Sequence, residues 1–156
     1  MDRQSEPDPS SPPAASELDA GFSKLVAGFW KLAAGMTLFV GVFTTIFASA
    51  HLQGVMQTAI TKGYAYDFRL AALLIVGMTM VAAGVLCIAA VRELARGHRI
   101  GWERAFYGTA WLVLIAMPLE PIQPGLAPAF TFVGGLNLVV LLVVVVLAAL
   151  RRLARS

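Results

Sequence analysis

Hydrophobic and polar positions do not alternate along this chain. They come in long blocks. From Phe22 to Ala50 only Lys24 and Lys31 interrupt the apolar run, and Leu32 to Ala50 is uncharged. As helix that part covers roughly 28 Å, close to the ~30 Å of bilayer hydrocarbon. Leu70 to Val91 is again uncharged, and Pro128 to Leu150 closes against Arg151 and Arg152. The valine-rich run Val139 to Val146 would favour a strand in water. In lipid a lone strand leaves its backbone groups unpaired, so helix is the reading.

A fourth block is shorter. Ala105 to Leu119 carries no charge but reaches only roughly 22 Å as helix. Beginning it at Trp102, with Glu103 and Arg104 extended to the surface and Glu120 inside the opposite interface, restores the length. A re-entrant segment is the alternative. The pattern thus predicts an all-α integral membrane protein, a bundle of four transmembrane helices over about 29–50, 70–91, 102–119 and 128–150. Between the first two, Leu52, Val55, Met56, Ala59 and Ile60 recur at helical spacing among Gln53, Gln57, Thr58 and Thr61. This predicts a short amphipathic helix on the membrane surface.

Charge gives the orientation. Lys24 and Lys31 precede the first span, Arg92, Arg96, Arg99 and Arg104 join the second to the third, and Arg151, Arg152 and Arg155 follow the last, against Lys62 and Arg69 elsewhere. The positive-inside rule then puts both termini in the cytoplasm. Phe29, Trp30, Trp102, Phe106 and Tyr107 at one level, and Tyr64, Tyr66 and Phe68 at the other, read as interfacial belts.

Composition adds the solvent. With 58% hydrophobic and 13% charged residues the chain is far less charged than the roughly one quarter usual in soluble domains. Net charge is +3, but the basic residues sit at the ends of apolar blocks, which argues for membrane topology and against a nucleic-acid partner. Residues 1–20 hold Pro7, Pro9, Pro12 and Pro13 among Ser, Asp and Glu, and read as a disordered acidic tail ahead of a membrane domain over 21–156. They lack the basic-then-apolar pattern of a cleavable signal. The compact, short-looped style points to a bacterial cytoplasmic membrane.

Candidate chemistry is sparse. Ala33, Thr37, Gly41, Thr45 and Ser49 recur every fourth residue as a small stripe, and Gly77 and Gly84 mark a similar place on the second span. Small stripes let helices approach closely in lipid, within one bundle or against a partner. Glu120, framed by Pro118 and Pro121, and Asn137, at mid-depth of the last span, are candidates for transport or ligand contact. Their alternatives are an interfacial carboxylate and an interhelical hydrogen bond. His51 could join Glu120 in a weak outer site, while the other histidine, His98, falls in the opposite loop. The single cysteine, Cys87, allows no disulfide within one copy. Phosphate-binding glycine loops, zinc motifs and nucleophile elbows are absent from the sequence, so neither enzyme, metal nor cofactor is expected. The expectation is a non-catalytic accessory or structural subunit, with lipid and a membrane-protein partner or further copies around it. Alternatives are an oligomeric small transporter or channel, and a haem- or quinone-binding protein using His51.

Overall fold

A computed structural model of the chain describes residues 13–62, 68–117 and 127–153. They form four helices: α1 (Pro13–Lys62), α2 (Phe68–Ala95), α3 (Arg99–Ala116) and α4 (Ala127–Leu153). Three of them contain segments long and apolar enough to cross a membrane: Ala20–Thr61, Leu70–Ala95 and Pro128–Leu153. Helix α3 is shorter and carries Arg99, Glu103 and Arg104 in its first two turns.

Two sequence expectations change at α1. Residues 13–20, expected in the disordered tail, belong to the helix, while 1–12 lie outside the described residues. Pro13 occupies a first-turn position, where its fixed φ suits a helix and its missing N–H costs nothing, and Ala14, Ala15, Glu17 and Leu18 are strong helix formers. At the other end the separate surface helix is not found. Helix α1 runs unbroken to Lys62, since no proline follows Ala50 within it and Gly54 alone costs only about 1 kcal/mol. Part of the apolar side of this extension packs on α2, while Met56 and Ile60 stay exposed. Leu52 lies over Gly77, with its Cδ2 2.6 Å from where a Cβ on that glycine would stand, and Val55 is buried. Val55 and Thr58 share a shallow hollow with Leu70 and Leu73, so residues 51–62 run beside the first turns of α2.

Helix α2 ends at a sharp reversal whose cause is local. The N–H of Gly97 donates to the Leu94 carbonyl and that of His98 to the Glu93 carbonyl, both at 2.9 Å. This pair of bonds closes the helix in a Schellman motif and needs a residue with positive φ at the turn. Gly97 supplies it at φ 73°. The chain re-enters helix at once, which sets α2 and α3 side by side as an antiparallel hairpin.

Each helix packs on its sequence neighbours, and α4 closes back on α1. The interior forms two layers. One joins Val40 and Ala48 of α1, Met80 and Ala83 of α2, Leu112 and Ala116 of α3, and Phe130 of α4. The other joins Ala33 and Ala34, Ala90 and Leu94, Ala105, and Leu141 and Val144. Helix α3 contributes to both, so it runs alongside the three apolar helices from one layer to the next.

Backbone contact holds the seams. A Cβ on Gly41 would lie 2.9 Å from the Gly84 carbonyl oxygen, and one on Gly84 would lie 2.9 Å from the Gly41 oxygen and 2.5 Å from Thr45 Oγ1. Between α2 and α3, a Cβ on Gly108 would come 2.9 Å from Cys87 Sγ, and one on Gly101 would overlap the Leu94 nitrogen and the Glu93 carbonyl carbon. Outward positions carry large apolar side chains on every helix, among them Phe39, Ile46, Ile75, Met78, Trp111, Leu114, Phe132 and Val139.

Gly101→Ala is therefore expected to destabilise the bundle by about 1–3 kcal/mol or more, because the obstacle is backbone. Gly28→Ala, with open space around it, is expected to be neutral or slightly stabilising. Thermal unfolding of the two variants in one detergent tests the contrast; equal midpoints would contradict the close α2–α3 contact.

Candidate functional site

Among the described residues, three of the four buried polar side chains converge with a buried cysteine at one level where all four helices meet. Asn137 of α4, Thr37 of α1, Thr109 of α3 and Cys87 of α2 are each essentially inaccessible. Thr37 Oγ1 donates to Asn137 Oδ1 at 3.3 Å, and Asn137 Nδ2 donates to Thr109 Oγ1 at 2.9 Å. The Thr109 hydroxyl proton goes to its own helix, to the Ala105 carbonyl at 2.7 Å. That leaves the oxygen as acceptor only, so the Cys87 thiol, 3.7 Å away, is the donor of the last contact.

Small neighbours let these groups reach one another. Gly108 brings α3 against Cys87, and Gly134, one turn before Asn137, lets α4 approach Val113 and Thr109 of α3. Placed in an apolar medium, an amide without partners would cost several kcal/mol. Here the network uses the Asn137 carbonyl and one of its two amide hydrogens. The Thr44 hydroxyl, by contrast, is buried and neither accepts nor donates a hydrogen bond.

The residues singled out from the sequence divide among three places. Ala33, Thr37, Gly41 and Thr45 face the interior, opposite Ala90, Asn137 and Gly84, and Gly77 receives Leu52. Ser49 is exposed. The reason is geometric: steps of four residues lag a helix by about 40° each, so the stripe drifts out of the seam. Positions spaced three and four apart stay in it, as Ala33, Thr37, Val40, Thr44 and Ala48 do. His51 is half-buried beside Gly77, well away from the interior network, and Glu120 lies outside the described residues.

Sequence reasoning missed Thr109, the partner that Asn137 needs, and the stripe Gly101, Ala105, Gly108, Leu112 and Ala116 that α3 buries. A three-and-four spacing of small residues was the available signal.

At the opposite extreme from these apolar seams lies the basic end of the bundle. Arg151 Nη2 donates to Ser23 Oγ at 2.8 Å, joining the two ends of the fold. Glu93 bonds His98 Nδ1 at 2.5 Å and lies 3.6 Å from Arg96, while Arg99 Nε donates to Glu103 at 2.6 Å. Among the described residues no group of three or more His, Cys, Asp or Glu could hold a metal ion. Compared with known proteins, the chain gives no significant match to any family model, curated protein or solved structure.

A double-mutant cycle on Asn137→Ala and Thr109→Val is expected to give a coupling of about 0.5–1.5 kcal/mol, the scale of interhelical hydrogen bonds in lipid. Thr44→Val, which removes an unpaired buried hydroxyl at constant shape, is expected to be neutral or stabilising. Unfolding in detergent by denaturant checks both, and zero coupling would mean that the amide contributes by packing alone.

Proposed function

We propose that the chain is a non-catalytic structural or accessory subunit embedded in a membrane, crossing it four times with both termini and the α2–α3 turn in the cytoplasm. The supporting observation is the hydrogen-bonded cluster at the level where the four helices meet. Asn137, Thr37, Thr109 and Cys87 are hydrogen-bonded to one another and sealed by the two apolar layers. Side chains spent on each other hold helices together; they do not line a route for a solute. The same holds for the small-residue seam, whose glycines meet backbone of the same chain.

What then remains for a partner is the outer surface. Its exposed Phe39, Ile46, Phe47, Trp111, Phe132 and Val139 suit lipid chains or the apolar flank of another membrane helix. The four-crossing reading draws support from α3 packing in both layers beside α1, α2 and α4. Orientation draws on the gathering of basic residues at one end, where Arg151 meets Ser23 and the α2–α3 turn lies against Trp30. A bacterial cytoplasmic membrane remains the proposed location.

Extraction of a C-terminally tagged copy at native expression with a membrane-solubilising polymer is the test of the subunit role. A stoichiometric membrane-protein partner is the expected result. A homogeneous homo-oligomer alone would instead favour transport and would make Glu120→Gln the first variant for flux measurements. Reporter fusions test the topology: a C-terminal fluorescent protein is expected to fold and a C-terminal periplasmic phosphatase to be inactive, and the reverse would contradict four crossings.

A further inference from the structure

At the basic end α4 continues apolar past the level where α2 turns back. Val145, Ala148 and Ala149 are level with the turn at Gly97, and the small side chains there leave a hollow of about 320 Å³. That volume falls in the range of small-ligand sites, roughly 300–1,000 Å³. Two tryptophans and two arginines complete it: Trp30 from α1, Arg99 and Trp102 from α3, and Arg152 from α4.

Three of the lining side chains are held by contacts of their own. Trp102 Nε1 donates to the Leu141 carbonyl at 3.2 Å, and its ring stacks on Phe106 with centroids 5.1 Å apart. The Trp30 indole edge rests against Gly97, 3.5 Å from where a Cβ would be. Arg99 is steadied through Nε by Glu103, which leaves both of its terminal nitrogens as donors. Both nearby carboxylates are engaged, Glu103 by Arg99 and Glu93 by His98. Neither carboxylate lines the hollow, whose charged lining residues are Arg99 and Arg152.

We propose that this hollow holds the phosphate headgroup of an anionic phospholipid, with Arg99 and Arg152 on the phosphate and the glycerol and first acyl carbons along Val145 and Ala148. Arginine suits phosphate because its planar fork gives paired hydrogen bonds. Tryptophans with an apolar wall below them match the depth at which headgroup meets chain. A soluble phosphate would use the arginines and leave the apolar wall unused. The proposal rests on the membrane reading above.

Native mass spectrometry of the full chain, released from vesicles of phosphatidylglycerol or of phosphatidylcholine, tests it. Phosphatidylglycerol is expected to be retained and phosphatidylcholine not. Arg99→Gln and Arg152→Gln are each expected to reduce that retention about fivefold, the scale of one arginine near an anionic surface. Ala148→Phe, which fills the hollow without touching charge, is expected to abolish it. Arg104→Gln, a loss of charge outside the hollow, is expected to leave it unchanged. Equal loss in Arg104→Gln and Arg152→Gln would mean diffuse attraction and overturn the site. Displacement of the lipid by glycerol phosphate in solution would overturn the lipid as occupant. Alkaline carbonate extraction separates the two levels: a chain that washes off membranes contradicts the membrane reading, and one that stays in but retains both lipids equally contradicts the hollow alone.

Discussion

In a bundle whose helices are apolar on nearly every side, no hydrophobic face tells one helix where to meet the next. Lipid offers each surface the same attraction as a neighbouring helix would. What remains is how closely two backbones can approach and where a polar side chain must find its partner. Gly41 against Gly84 and Gly101 against the end of α2 settle the first question, and Asn137 between Thr37 and Thr109 settles the second. Both are short-range and unforgiving, so together they select one rotation and one register for each helix.

Register has consequences along the whole molecule. Because Gly41 meets Gly84 and Leu52 meets Gly77, the continuation of α1 past Ala50 lies beside α2. Of the apolar residues that look like a surface face when read alone, Val55 is buried and Leu52 packs on Gly77, while Met56 and Ile60 stay exposed. Equally, Thr37 with Asn137 and Ser23 with Arg151 slide α4 toward the basic end, so its last apolar turns lie level with the α2–α3 turn. The apolar segments of neighbouring helices are thus staggered. The hollow between Trp30 and Trp102 is the place where that stagger leaves an apolar wall without a helix to cover it.

Much of this was legible in the sequence, and the limits have physical causes. Block lengths predict the three long helices, because uncharged runs of that length have few alternatives, and the distribution of basic residues supports the shorter one between them. Spacing predicts that Ala33, Thr37, Gly41, Thr45 and Ser49 pack closely, and Ser49 instead is exposed because a step of four outruns the helical repeat. Asn137 stands out as a polar residue at mid-depth, yet its partners lie a hundred positions before it and 28 before it in sequence, distances no local pattern reports. The surface helix expected after Ala50 rests on the spacing of apolar among polar residues, a pattern that marks a change of surroundings and not a helix end. Helices end at proline, at a capping residue or at glycine with positive φ, as at Gly97, and residues 51–62 contain none of these acting as a stop.

The small-residue and polar seams are used up inside one copy of the chain. Cys87 and Thr109 face each other across α2 and α3, 3.7 Å apart at their terminal atoms. Mild oxidation of the Thr109→Cys variant in its native membrane, followed by peptide mass spectrometry, is the most direct test. An intrachain disulfide between positions 87 and 109, with no dimer formed by the unaltered chain through Cys87, is the predicted result. A dimer linked through Cys87, or a folded variant whose two cysteines never join, would contradict it.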